Sequence, residues 1–115
     1  MRKTYGESEI NDFYCIRCGR LGIPISRRAG HGREAGHLKV LYCLNCKAEV
    51  NFCEIKHGAT RYTYQDFLLE YENGNFDEKG NRKKSYGQFK QDLVKEGKLQ
   101  KLLLDISMRN QVEGD

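Results

Sequence analysis

The chain has 115 residues, 38% apolar and 31% charged, with no tryptophan and one proline, which is globular composition toward its polar edge. At this length one domain is expected, with burial of roughly 65% of the surface its unfolded form exposes. The longest apolar run, VLYCL at 40–44, is too short to span a bilayer, and no apolar stretch follows the start MRKTYGESEINDFY, so neither membrane insertion nor export is predicted. The net charge of +4 lies entirely in residues 1–60, with ten Lys/Arg against six Asp/Glu, whereas residues 61–115 balance at ten and ten.

The first half reads as short strands and turns. DFYC precedes a first cysteine pair, CIRC at 15–18, and GRLGIPI follows it, where Gly19 and Gly22 permit a positive φ in a tight turn and Ile23 and Ile25 suit a strand. A glycine-punctuated basic stretch, SRRAGHGREAGHLK at 26–39, intervenes as a loop. LKVLYC then enters the second pair, CLNC at 43–46, and KAEVNFCEIK leaves it, with Val50, Phe52, Cys53 and Ile55 marking a strand.

The period changes in the second half. Tyr64, Phe67, Leu68 and Tyr71 fall at i, i+3, i+4, i+7 after Thr63, a candidate cap with Asp66 three residues on, and this helix should stop near Asn73-Gly74. NGNFDEKGNRKK is dense in turn residues and charge and reads as a loop or short exposed hairpin, its basic tract 82–84 solvated. Ser85 caps a second helix with Tyr86, Phe89, Leu93 and Val94 on its apolar face and Gly97 as terminator. A third carries Leu99, Leu102, Leu103 and Ile106 on one face, and residues 110–115 should fray. The expected class is α+β: short antiparallel strands at 1–60, then three short helices at 61–115 packed with them as one domain.

Five cysteines, four of them in two C-x-x-C pairs, favour thiolates on a metal in a reducing compartment over a disulfide framework, which predicts a cytoplasmic protein. Two residues between paired cysteines let the backbone turn both sulfurs toward one ion, so Cys15, Cys18, Cys43 and Cys46 supply the four ligands of one structural Zn2+. Iron held in a rubredoxin-like way is the chemical alternative. A redox motif needs only one pair, opening a helix in a βαβ context that this stretch does not offer. The spacer of 24 residues (19–42) exceeds the usual length of about 15–20, and the excess falls in the basic stretch. Cys53, between apolar strand residues, reads as core, and His57 as a turn residue.

FYCIRCGR followed at a distance by LYCLNCKAEV resembles the zinc-ribbon and treble-clef-like proteins, over roughly residues 13–56. The resemblance implies two knuckles on hairpins clamping one zinc ion through Cys15, Cys18, Cys43 and Cys46. Such ribbons occur in ribosomal and transcription proteins and among small phage-type proteins, so the resemblance fixes no single function.

Within residues 17–39, Arg17, Arg20, Arg27, Arg28, Arg33 and Lys39 stand against the single acid Glu34, with His31 and His37 among them. Guanidinium forks match phosphate oxygens, and each phosphate neutralised releases counterion, so this segment is expected to bind RNA or DNA. Phe13, Tyr14 and Tyr42 lie near the knuckles and would stack on bases if exposed. The alternative is a protein-interaction module docking on a large host machine such as RNA polymerase, a ribosome or a defence complex. No enzymatic activity and no small-molecule substrate are expected: no histidine has a glutamate two residues on, as zinc deaminases require, and four thiolates close the metal to substrate. A nuclease using His31 or His37 as general base is the remaining catalytic reading.

Overall fold

A computed structural model describes residues 8–23, 25–28, 36–56 and 61–113, with backbone alone at 8–10, 25–28 and 110–113. The chain divides into two compact units, Met1–Thr63 and Tyr64–Asp115. The first holds strands β1 (Ser8–Cys15), β2 (Ile25–Arg28), β3 (Leu38–Cys43) and β4 (Ala48–Ile55). The second holds helices α1 (Tyr64–Glu72), α2 (Tyr86–Lys95) and α3 (Leu99–Glu113). The class is α+β, strands first and helices after.

The strands form one antiparallel sheet in the order β2-β1-β4-β3. β3 and β4 are joined by the turn that carries the second cysteine pair, with Cys43 opposite Ala48 and Lys39 opposite Phe52. β1 lies on the other side of β4, with Cys15 opposite Phe52 and Phe13 opposite Glu54. Because side chains alternate along a strand, this register gathers Phe13, Cys15, Cys43 and Phe52 on one face, where they form a buried cluster with Leu41 and Val50 packed against it. Cys53, one residue on from Phe52, belongs to the opposite face, where it is fully buried and its thiol donates to the Gly36 carbonyl at 3.6 Å. It is a core residue, as its neighbours suggest.

Strand β2 departs from expectation. Arg27 and Arg28, expected in a loop, pair in register with Glu9 and Ser8 of β1, so the basic stretch begins as an edge strand. Pairing with a partner some twenty residues earlier leaves no trace in local composition, and the arginines mask a strand of only four residues. Ile23, expected to start that strand, lies outside it and is 65% exposed.

In the helical unit, Leu69, Phe89, Leu93 and Ile106 form the buried cluster, flanked by Leu68, Tyr86, Leu99, Leu102 and Leu103. The Ser85 side chain accepts from the Gln88 N–H at 3.3 Å, and α2 ends as its sequence indicates: Gly97 takes φ 71°, its N–H bonds the Val94 carbonyl at 3.0 Å and Lys98 N–H that of Leu93 at 2.9 Å. α1 stops the same way at Gly74, where Asn75 N–H reaches the Glu70 carbonyl at 3.0 Å. Val94, placed on the apolar face by its spacing, is instead 60% exposed: it sits at the margin of the stripe and Leu93 takes the buried position. The backbone of 110–113, expected to fray, continues α3 to Glu113.

The segment between α1 and α2 is a tight hairpin-like turn, with Phe76 bridged to Arg82 and the Asp77 carboxylate accepting from the N–H groups of Lys79 and Asn81, both at 2.9 Å. Its basic tract is only partly solvated. Arg82 donates through Nε and Nη2 to the fully buried Glu70 carboxylate at 2.8 and 3.0 Å, and Asn75 donates to the same carboxylate at 2.5 Å. A buried carboxylate requires such partners, so Arg82 is held as a structural counter-ion. Tyr86 donates its hydroxyl to Asp66, and burial together with that carboxylate raises the phenol above its ordinary range.

Candidate metal centre

Each cysteine pair grips its own turn in the same way. In the first, Gly19 N–H bonds the Cys15 carbonyl at 2.8 Å, and the N–H groups of Arg17 and Cys18 point at Cys15 Sγ at 3.3 and 3.4 Å. In the second, Lys47 N–H bonds the Cys43 carbonyl at 2.7 Å and Cys46 N–H points at Cys43 Sγ at 3.3 Å. Gly19 adopts φ 79° and Lys47, the only non-glycine residue at positive φ among the described residues, adopts φ 56° to close the equivalent turn. Amide hydrogens aimed at the Cys15 sulfur favour its thiolate and work against its burial.

The turns face one another across β1 and β4. Cys15 Sγ lies 3.9 Å from Cys46 Sγ and Cys18 Sγ 3.7 Å from Cys43 Sγ, with all four sulfurs within 4.8 Å of one another. A tetrahedral ion with metal–sulfur bonds of about 2.3 Å sets its ligands about 3.8 Å apart. The four thiols therefore fit a metal ion in number, type and spacing. Cys15 and Cys43 are buried, while Cys18 and Cys46 are half-buried toward solvent.

Proton affinity is uneven across the cluster. Burial pushes the Cys15 thiol up to about 12, against the N–H groups of Cys18 and Arg17 that favour its thiolate. Burial works against the Cys18 thiolate too, yet the Arg20 N–H, the Asn45 side chain and the thiols of Cys15 and Cys43 outweigh it and bring Cys18 down to about 7. Cys46 is raised, by desolvation and then by its contacts with Cys43 and Cys18.

The cationic residues divide into separate groups. Arg17 and Arg20 are exposed on the first knuckle, and Lys47, easily overlooked in the sequence because it lies outside the basic stretch, is exposed on the second. Lys39 is half-buried on β3. His37 is half-buried, its carbonyl accepting from Glu54 N–H at 2.8 Å, and is not among the clustered metal-ligating groups. Arg27 and Arg28 are placed by backbone only, and His31, Arg33 and His57 lie outside the described residues. Of the aromatic residues near the knuckles, Phe13 is fully buried and unable to stack on a base, Tyr14 is half-buried, and Tyr42 is 56% exposed.

Comparison with protein-family models, with curated proteins and with solved structures gives no match to this chain. What defines the first unit is its own geometry: an antiparallel sheet closed at one end by four converging cysteines. No helix among the described residues is long and apolar enough to cross a membrane.

Proposed function

We propose that this chain is a small zinc-binding, non-enzymatic nucleic-acid-binding protein of the zinc-ribbon type, in which one zinc ion fixes two knuckles whose outer surface grips RNA or DNA phosphates. The observation that carries this reading is the placement of charge. Arg17, Arg20 and Lys47 are exposed on the two knuckle turns, and residues 13–23 and 36–48 contain no acid at all. Exposed cations held on a metal-rigidified backbone suit a polyanion, because binding releases its condensed counterions without first ordering a loop. Arg27, Arg28, His31, Arg33, His37 and Lys39 extend the same basic segment.

Zinc suits four thiolates in a tetrahedron, and a complete sulfur shell leaves no coordination position for substrate, which supports a structural role for the ion. A chain using reduced cysteines in this way belongs in the cytoplasm. The alternative, docking on a large host machine such as RNA polymerase, a ribosome or a defence complex, draws support from the exposed aliphatic residues Leu21, Ile23, Val40 and Leu44.

The test is the salt dependence of oligonucleotide binding by zinc-loaded protein. Replacing Arg17, Arg20 and Lys47 together by alanine is expected to flatten the slope of log K against log salt by roughly two to three units. An unchanged slope and affinity refutes the reading. Affinity capture with and without nuclease separates the alternative: a protein partner that survives nuclease favours docking.

A further inference from the structure

Beside the metal centre the surface opens into a groove of about 550 Å³, a size that accepts a compact organic group. Phe52 and the metal-site residue Cys43 line it from below, one wall is the stretch 20–23, and the other is the second knuckle from Tyr42 to Asn45. The first wall is held firmly. Cys15 N–H bonds the Arg20 carbonyl at 2.9 Å, Gly22 N–H bonds the Phe13 carbonyl at 2.7 Å, and Leu21 is bridged to Tyr14. The second wall is fixed by the cysteine pair itself. Yet the side chains at the rim face water: Leu21 is 53% exposed, Ile23 65%, Tyr42 56% and Leu44 69%.

We infer that this groove is a base-accepting subsite, which takes an unpaired nucleobase of a single-stranded RNA or DNA segment whose phosphates lie on Arg17, Arg20 and Lys47. The inference rests on the nucleic-acid reading above and deepens it. Single-strand binders need two things side by side, a cationic track for the backbone and a flat or apolar platform for the bases, because every nucleotide carries both a phosphate and a π-face. Here Arg20 belongs to the groove lining itself, beside Leu21, and Tyr42 supplies an exposed ring on the opposite wall. An apolar peptide would satisfy the aliphatic rim but would leave this acid-free cationic border without complementary charge. Glu49, the register partner of Tyr42, does not line the groove, and neither does Glu54, which is buried and accepts from Asn11. A base pair in a duplex keeps its faces stacked, so only unpaired nucleotides can use the subsite.

The test uses the full chain loaded with zinc and measures anisotropy of three labelled probes of equal length: a thymidine oligomer, its duplex, and an abasic oligomer with the same phosphates. The thymidine oligomer is expected to bind at least about tenfold more tightly than the abasic one, the scale of one base–aromatic stack. Tyr42→Ala is expected to collapse that ratio toward one with the salt slope unchanged, and Tyr42→Phe to preserve it. Leu44→Ser, at the most exposed rim position, provides a second variant if Tyr42→Ala loses zinc. Equal binding of abasic and thymidine oligomers, or a ratio indifferent to both Tyr42→Ala and Leu44→Ser, overturns the inference while leaving the phosphate grip standing. Concentration-dependent dimers dissociated by Leu44→Ser would give the groove to a second copy and likewise overturn it. Failure of all three probes to bind removes the nucleic-acid reading itself.

Discussion

Gly22 gives the most direct test of how tightly the metal-side core is built. Its backbone is not in the left-handed region, so any L-residue can adopt it; what excludes a side chain is Phe52. A Cβ at this position would stand 2.6 Å from Phe52 Cε2, 3.2 Å from Cδ2 and 3.4 Å from the Phe13 carbonyl. Carbon atoms pack at roughly 3.5–4.0 Å, so the overlap is about 1 Å. The ring has little room to swing, being 1% exposed and packed with Phe13, Cys15 and Cys43. Gly22→Ala should therefore cost about 1–3 kcal/mol, the usual cost of overpacking. In a unit of this size that lowers the melting temperature by roughly 4–20 °C, read by calorimetry on zinc-loaded protein. Gly87→Ala is the control: a Cβ there meets nothing within 4 Å, so helix α2 should gain up to about 1 kcal/mol. Phe52→Leu in the Gly22→Ala background should recover part of the loss through coupling of about 0.5–3 kcal/mol. If Gly22→Ala melts with the parent protein, the close packing of 20–23 on Phe52 is wrong, and the groove wall with it.

Metal retention should weaken as pH falls. Cys15 at about 12 and Cys46, raised from 9.0, hold protons at neutral pH that an ion must displace, and Cys18 at about 7 adds a third as pH falls below neutral, so apparent affinity should drop by at least about a hundredfold per pH unit, measured by competition with a chromophoric chelator. Cys18→Ser or Cys43→Ser should lose the ion and the sheet's cooperative melting together, and metal analysis showing a full equivalent retained would contradict the four-sulfur site. Lys47→Gly removes a residue from the left-handed region, which costs roughly 1–2 kcal/mol for a side chain, and should raise stability by about 1 kcal/mol while reducing the salt slope of the nucleic-acid binding proposed above. Arg82→Met takes the guanidinium away from the buried Glu70 carboxylate and should cost about 3–5 kcal/mol in urea denaturation, with Glu70→Gln in the same chain recovering part of it.

Features encoded within a few residues are legible in the sequence. The knuckle turns, the Ser85 cap, the stops at Gly74 and Gly97 and the apolar face of α3 each depend on neighbours one turn away. Features that depend on distant partners are not. Arg27 and Arg28 look like loop residues until β1 pairs with them, and Arg82 looks like a solvated cation until Glu70 is found beside it, twelve positions earlier on α1. Gly22 is a correct residue with the wrong reason: its local context suggests a positive-φ turn glycine, whereas the need for it is the absence of a Cβ against an aromatic ring. At the candidate site, spacing picks out the four cysteines that converge but says nothing of the surface around them. Lys47 and the exposed rim of Leu21, Ile23 and Leu44 acquire meaning only when the segments 20–23 and 42–45 become opposite walls.

The two cysteine pairs also differ in how hard they are to assemble. Cys43 and Cys46 sit at the turn of a local hairpin, β3 to β4, whose register partners are only 5 to 15 positions apart, and hairpin closure of this kind takes on the order of microseconds. β1 must be recruited to β4 from 37 positions away, Cys15 to Phe52, and that closure is entropically slow. On the zinc reading proposed above, an ion captured first by the hairpin would offer two vacant bonds to the incoming Cys15 and Cys18, and the expected order is hairpin, ion, then β1. Added zinc is then expected to speed formation of the sheet, and the surface it displays, in refolding followed with and without a chelator; equal rates would refute that order.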